Sequence, residues 1–216
     1  MSEKLPSHIA RGVRRRDEVL RFAIGVATQE GLEALTIGRV AEAAGFTKAG
    51  LLGHFTSKEE LQLATLRAGR DSFLQAVLSP SAADPPGIVR TYRLLKRWVG
   101  HVAASEGGCF FASVAAEYDG RGGVVRDAVE QLVREWMAGL EHFLREAKAA
   151  GHLRPDADTA DIVFALYAFE LVLNLRQQLL RDRKAQARAI AGMTATLHQH
   201  ATAAGRRLLK NEVSTR

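Results

Sequence analysis

The sequence predicts an all-α fold of about nine helices, a small N-terminal three-helix unit followed by a larger helical domain. Three observations carry this expectation. Ala, Leu, Arg and Glu are abundant while only 5 of 216 residues are proline, a balance that favours helices. Apolar residues recur at helical spacing, and alternating strands joined by Asn-Gly turns are absent. The breaks between the periodic runs are short and rich in Gly, Asp and Pro.

Taken in order, residues 1 to about 10 read as a frayed arm. Asp17 to Gln29 form the first helix, with Val19, Leu20, Ala23, Val26 and Ala27 on its apolar side, and Gly31 ends it. Leu32 and Leu35 lead into Thr36–Phe55, TIGRVAEAAGFTKAGLLGHF. Ile37, Val40, Ala41 and Ala44 give a short helix one apolar face. Gly45 supplies the left-handed backbone of a reversal. Thr47 can cap a second helix of about two turns before Gly53. This is the geometry of a helix-turn-helix, whose second helix enters the major groove of DNA. The expected small core is Leu20, Ala23, Val40, Phe46, Leu51 and Phe55.

Ser57-Lys58-Glu59-Glu60 matches a capping box and starts a helix expected to run unbroken to Leu78 as a rigid link. Residues 79–87, SPSAADPPG, are a loop. Helices follow at Ile88–Ser105, Cys109–Tyr118, Val124–Ala150, Thr159–Arg181 and Lys184–Arg207, the last two only weakly separated at Asp182-Arg183. The expected domains are 1–56, the helix-turn-helix with a basic N-terminal arm, then 57–210, and a tail at 211–216.

A composition of 47% hydrophobic and 25% charged residues fits a globular chain with a sizeable core. The net charge of +6 suits a nucleic acid or an anionic surface, and its distribution says more. Lys4, Arg11, Arg14, Arg15 and Arg16 crowd the start against Glu3 alone. A later excess at Arg181, Arg183, Lys184, Arg188, Arg206, Arg207 and Lys210 reads as solvated charge. The single cysteine, Cys109, excludes an internal disulfide and fits a reducing compartment. No apolar run reaches the ~18 residues of a membrane span, and no secretion signal is evident, so a cytoplasmic location without a membrane partner is expected. There is no Gly-rich phosphate loop and no His-Glu-x-x-His, and His198 and His200 do not share a helix face. No metal, cofactor or catalytic residue is therefore assigned, and an enzyme is not expected.

Residues 15–61 resemble the N-terminal DNA-binding domain of TetR-family transcriptional regulators. The match includes Gly31, Thr36, Val40-Ala41, Ala44-Gly45, Thr47-Lys48, His54-Phe55 and Ser57-Lys58-Glu59-Glu60-Leu61, in order and spacing. For the remaining chain only the architecture is implied: a helical effector-binding and dimerisation domain. The resemblance implies a ligand-responsive regulator, a repressor released from a palindromic operator by a small molecule. It also implies a homodimer whose last two helices form a four-helix interface. The alternatives are an effector-independent architectural DNA-binding protein and a protein-interaction module. The sequence departs from the family at Leu52, where many members carry a tyrosine that contacts phosphate. Ala49 and Gly50 replace the commoner glycine and threonine, and Phe46 replaces a frequent valine and is expected to fill core.

Cationic side chains and helix N-termini hold phosphates, while base edges supply sequence information. Thr36 and Lys58 are phosphate candidates, and Arg39 can reach phosphate or a guanine edge. Thr47 and Lys48 lead the recognition helix, with Ala49, Leu51 and Gly50 expected to face the groove. Lys48 suits guanine and the Ala49 methyl suits a thymine methyl. His54 resembles a family phosphate contact, or else lies against the dipole at a helix C-terminus. Arg14, Arg15 and Arg16 grip backbone or a minor groove, or are simply solvated.

Ile162, Ala165, Leu166, Phe169, Leu173 and Leu180 mark one candidate interface helix; Ala187, Ile190, Ala191, Thr194, Leu197 and Ala201 mark the other, with internal core as the alternative. Trp98, Phe111, Trp136 and Tyr167, with His101, Cys109, Glu170 and Asn174, are candidates to line an effector pocket, though large side chains in these helices equally read as core. Glu170 and Asn174 lie at i, i+4 on an otherwise apolar helix. They must be satisfied internally, by a ligand or by the dimer partner.

Overall fold

The computed structural model describes residues 7–81 and 83–214, with side chains from residue 15 onward. The described residues form ten α-helices: α1 Ser7–Glu30, α2 Ile37–Ala44, α3 Lys48–Leu52, α4 Lys58–Phe73, α5 Ile88–Ala104, α6 Phe110–Tyr118, α7 Val124–Ala149, α8 Thr159–Gln178, α9 Ala185–His200 and α10 Ala203–Ser214. They contain no strand, only an isolated bridge between Leu153 and Ala201. The all-α expectation holds. The chain divides into two compact units: residues to Ser72 with Phe110–Glu130, and Phe73–Cys109 with Gln131 onward.

In the first unit, α1 starts well before the expected Asp17. No proline lies between Ser7 and Gly31, and Arg is a good helix former, so Arg14–Arg16 belong to the helix and not to an arm. Thr36 caps α2, its Oγ1 accepting from the Arg39 N–H at 3.0 Å. Gly45 closes α2 at φ 68°, a left-handed angle that glycine adopts without strain. Val40, Ala41, Leu51 and Phe55 are buried with Val19, Leu20, Ala23 and Ala27 of α1. Phe46 does not enter the core; it is half-buried, and its cover is the Arg15 guanidinium, 4.7 Å from the ring centroid.

α6 packs against α1, and a polar clasp that no local sequence pattern announces ties its end to the turn after α1. The Glu117 carboxylate accepts from the Leu32 and Glu33 N–H groups at 2.6 and 3.0 Å. Tyr118 donates its hydroxyl to Glu33. Gln62, on α4 and 3% exposed, donates to the Leu32 carbonyl and the Tyr118 oxygen at 2.9 and 3.2 Å. Lys58 and Tyr118 together hold the Glu33 carboxyl down to about 2.

In the second unit, α5 packs on α9 and α10, and α8 lies along α9. The linking helix is not uniform to Leu78 as expected. Leu74–Leu78 form one wide π turn before the loop. The expected helix Lys184–Arg207 is two helices broken at Ala201-Thr202. Thr202 donates from its N–H to the His152 carbonyl at 3.0 Å and accepts from the Gly205 N–H at 3.2 Å, so it caps α10. α10 then runs to Ser214 through most of the stretch expected as a tail. α8 ends at Gln178, three residues earlier than expected, because Asp182 draws in Arg176 and Arg188 at 2.7 and 2.6 Å.

Candidate nucleic-acid interface and effector site

α3 is five residues long, and Thr47 fixes its start by accepting from the Gly50 N–H at 3.2 Å. Thr47, Lys48, Ala49 and Gly50 are all exposed. Leu51 is 1% exposed, so the expectation that it faces the groove is corrected. Three residues after Lys48, it turns inward and seats α3 on the core. Leu52, at i+4 from Lys48, takes the outward face instead and is 53% exposed. The leading face of α3 is thus Lys48, Ala49 and Leu52.

The surrounding cations are already engaged within the fold. Arg16 donates to the His54 carbonyl at 2.5 Å, meets Glu60 at 3.5 Å and lies over the Phe55 ring at 4.5 Å. It buttresses the corner after α3, and His54 is half-buried there. Arg15 stays exposed on Phe46. The Arg14 side chain lies outside the described residues. Arg39 pairs with Glu30 at 2.9 Å and with Glu42 at 3.3 Å, and Glu30 raises its pKa further. Lys58 pairs with Glu33 at 2.8 Å. These pairs lie at the surface, where solvent screens them. Charge alone in the sequence could not show that these side chains have partners.

The effector candidates fall into two groups. Phe111 lies in α6 of the first unit, its ring 5.4 Å from that of Phe110. Trp98, His101, Cys109, Trp136, Tyr167, Glu170 and Asn174 all belong to the second unit. There, Trp98 contacts Trp136 at 4.9 Å and Tyr167 at 6.1 Å between centroids. Phe73, the last residue of α4, joins Trp136 at 4.7 Å to His101 at 5.6 Å. Burial lowers the pKa of His101 below the usual imidazole value. Asn174 is satisfied internally, its Oδ1 accepting from the Cys109 N–H at 2.8 Å. Glu170 is fully buried and both carboxylate oxygens lack a partner of ordinary hydrogen-bond geometry. Burial pushes its carboxyl up to about 7, while the Cys109 thiol acts to lower it. The buried indole N–H of Trp136 also has no acceptor.

Among the described residues no group of His, Cys, Asp and Glu gathers as a metal site, and no helix is long and apolar enough to cross a membrane. No curated protein matches the chain significantly. Two family models do match. One, for bacterial regulatory proteins of the tetR family, covers residues 19–65; the other, for a tetracyclin repressor-like C-terminal domain, covers 87–193. Solved structures share the fold. A TetR-family transcriptional regulator from Cytophaga hutchinsonii is 17% identical at a TM-score of 0.77, over 93% of this chain and 99% of its own. A TetR regulator from Chloroflexus aurantiacus is 20% identical at 0.79, over 89% and 98%. A putative transcriptional regulator from Saccharomonospora viridis, in complex with choline, is 18% identical at 0.72, over 88% and 99%. Matched along both its N-terminal and its C-terminal helices, the chain belongs to the TetR family of transcriptional regulators.

Proposed function

We propose that the protein is a ligand-responsive repressor that binds a palindromic operator as a homodimer and is released by a small molecule. In this reading residues 1–56 contain the DNA reader, residues 57–210 bind effector and dimerise, and the protein works in the cytoplasm. The observation that carries it is the exposed leading face of α3, Lys48, Ala49 and Leu52, set on a core by the buried Leu51. Lys48 reads a guanine, while Ala49 and Leu52 meet thymine methyls. Thr36, Thr47, His54, Arg15 and Lys58 grip phosphate, and Arg39 trades Glu30 for phosphate or a base edge.

So short a reader sees few base pairs, and doubling by two-fold symmetry supplies the rest. α8 carries an outward apolar face of Phe164, Leu171, Val172 and Leu175, continued past its end by Leu179 and Leu180. Ala187 and Ala191 of α9 are exposed beside the half-buried Ile190 and Thr194. These support a second copy docking on α8 and α9. Of the positions expected to mark that interface, Ile162, Leu166, Leu173, Leu197 and Ala201 are instead buried within the unit, and Ala165 and Phe169 are half-buried.

The choline held by the Saccharomonospora viridis protein supports a small-molecule effector. The route to the reader runs from α8 through the Asn174–Cys109 bond to the start of α6, and from Glu117 and Tyr118 at its end to residues 32 and 33. The ligand acts by favouring the arrangement that cannot bind DNA. The test is selection of bound fragments from the source genome, followed by titration of the selected operator. Lys48→Ala should relax discrimination at one base pair of each half-site by about 1–3 kcal/mol. Unchanged operator selection by that variant would refute the assignment of the reading face.

A further inference from the structure

We infer that Glu170 anchors a small organic cation: an amine with an apolar body and a hydrogen-bond acceptor, seated against Trp98, Trp136 and Tyr167. This rests on the effector reading above and names the chemical class of the effector.

Glu170 is fully buried, and neither carboxylate oxygen has a partner of ordinary hydrogen-bond geometry; the Cys109 thiol, a weak donor, is the group that lowers its pKa. A buried carboxyl without a partner is destabilising, so a fold that retains one gains nothing from it in isolation. Its neighbour one turn on, Asn174, is committed to the Cys109 N–H. The polar groups that face Glu170 are the Cys109 thiol, a weak donor, and Tyr167, one turn earlier on α8. Neither brings a positive charge. The missing partner is a cationic donor.

The rings that run on from Tyr167 suit the same ligand. Tyr167 leads to Trp98, Trp98 to Trp136, and Trp136 to Phe73, with successive centroids 6.1, 4.9 and 4.7 Å apart. Indole and phenol faces attract a desolvated cation and accept an apolar body equally well. The Trp136 N–H is a second buried group without a partner, and it requires an acceptor. One molecule carrying an ammonium, a hydrocarbon or aromatic middle and an oxygen would satisfy both. A neutral apolar ligand would leave the carboxylate unpaired, and an anion would add repulsion. The cluster reaches the surface through Trp136, Tyr167 and His101, each partly exposed, which gives such a molecule a way in.

The chain has two tryptophans, and both lie in this cluster, so intrinsic fluorescence reports occupancy directly. The full-length protein, excited at the red edge of indole absorption where the ligands do not absorb, is titrated with phenethylamine, 4-methoxyphenethylamine and hexylamine. The same titration uses the alcohols and carboxylic acids in which –OH or –CO2H replaces the amine. The expected result is saturable quenching by at least one amine at millimolar concentration or below, and none by its alcohol or acid. Glu170→Gln, with its folding checked by thermal melting, should weaken that amine by at least about tenfold. Silence from every amine, equal binding of the alcohols, or an unaffected Glu170→Gln would overturn the assignment. Salt-dependent binding of the ligand-free wild-type protein to its selected operator is measured alongside. If that binding stands while the amines fail, only the cation is wrong; if it is absent, the repressor reading falls by itself.

Discussion

At the level of single residues, charge proved a poor guide to availability. Arg16 reads like its neighbours Arg14 and Arg15, yet it braces the His54 carbonyl and the Phe55 ring, a role that depends on residues some 40 positions away. Leu51 and Leu52 are chemically identical in the sequence, and only the rotation of α3 sends one inward and the other out. Glu170 was legible as a polar group needing a partner, because an acid in YAFELVLNL stands out against its surroundings. Its carboxyl is raised from 4.5 to about 7 in the fold, with the Cys109 thiol and Tyr167 as its titratable neighbours. For a raised carboxyl, the stabilising contribution is complete below the unfolded value and is lost as pH climbs through 7. The melting temperature should therefore fall between pH 5 and 8, and Glu170→Gln should flatten that fall, as calorimetry across the range would show. Glu33 works in the opposite sense. Its carboxyl is depressed to about 2, so its contribution is present above 4.5 and is lost as pH drops toward 2. Tyr118→Phe removes one of the bonds responsible and should cost about 1 kcal/mol in denaturant unfolding.

At the level of elements, most helices were legible because their periodicity and caps are local. Thr36, Gly45, Thr47 and Asp158 all stand where they act. The breaks that were missed depend on distant partners. Thr202 follows the Ala-poor stretch HQHA and precedes Ala-Ala-Gly, which reads as helix until the His152 backbone is brought beside it. Thr202→Ala should cost about 1 kcal/mol through loss of the cap on α10, read as a lower melting temperature. The contact of α8 with α9 includes a close approach at Gly192, where an added Cβ would run into the Phe169 ring. Gly192→Ala should destabilise the protein by about 1–3 kcal/mol unless Phe169 changes rotamer, which chemical denaturation would measure.

At the level of the whole molecule, the outward apolar face of α8 and of the turn after it sets the expected assembly. Leu175 and Leu179 are 52% and 71% exposed in the single chain. Replacing both by glutamate should give a folded monomer by sedimentation velocity, with its melting temperature changed little and its operator affinity lost. Persistence of the dimer would move the interface elsewhere. The three-helix start and the larger helical remainder were legible from spacing and loops. The membership of α6 was not, since the contacts that place it link residues 32 and 33 to residues 117 and 118. That clasp bears on how the protein can be taken apart. The chain passes between its compact units after Ser72, Cys109 and Glu130, so neither unit is a single stretch of polypeptide. A fragment ending at residue 56 would carry the reading helix but expose the Leu32 and Glu33 amides that Glu117 covers. Grafting this DNA reader onto a foreign sensor would therefore require transplanting α6 with it, or redesigning the turn after α1 to stand without it.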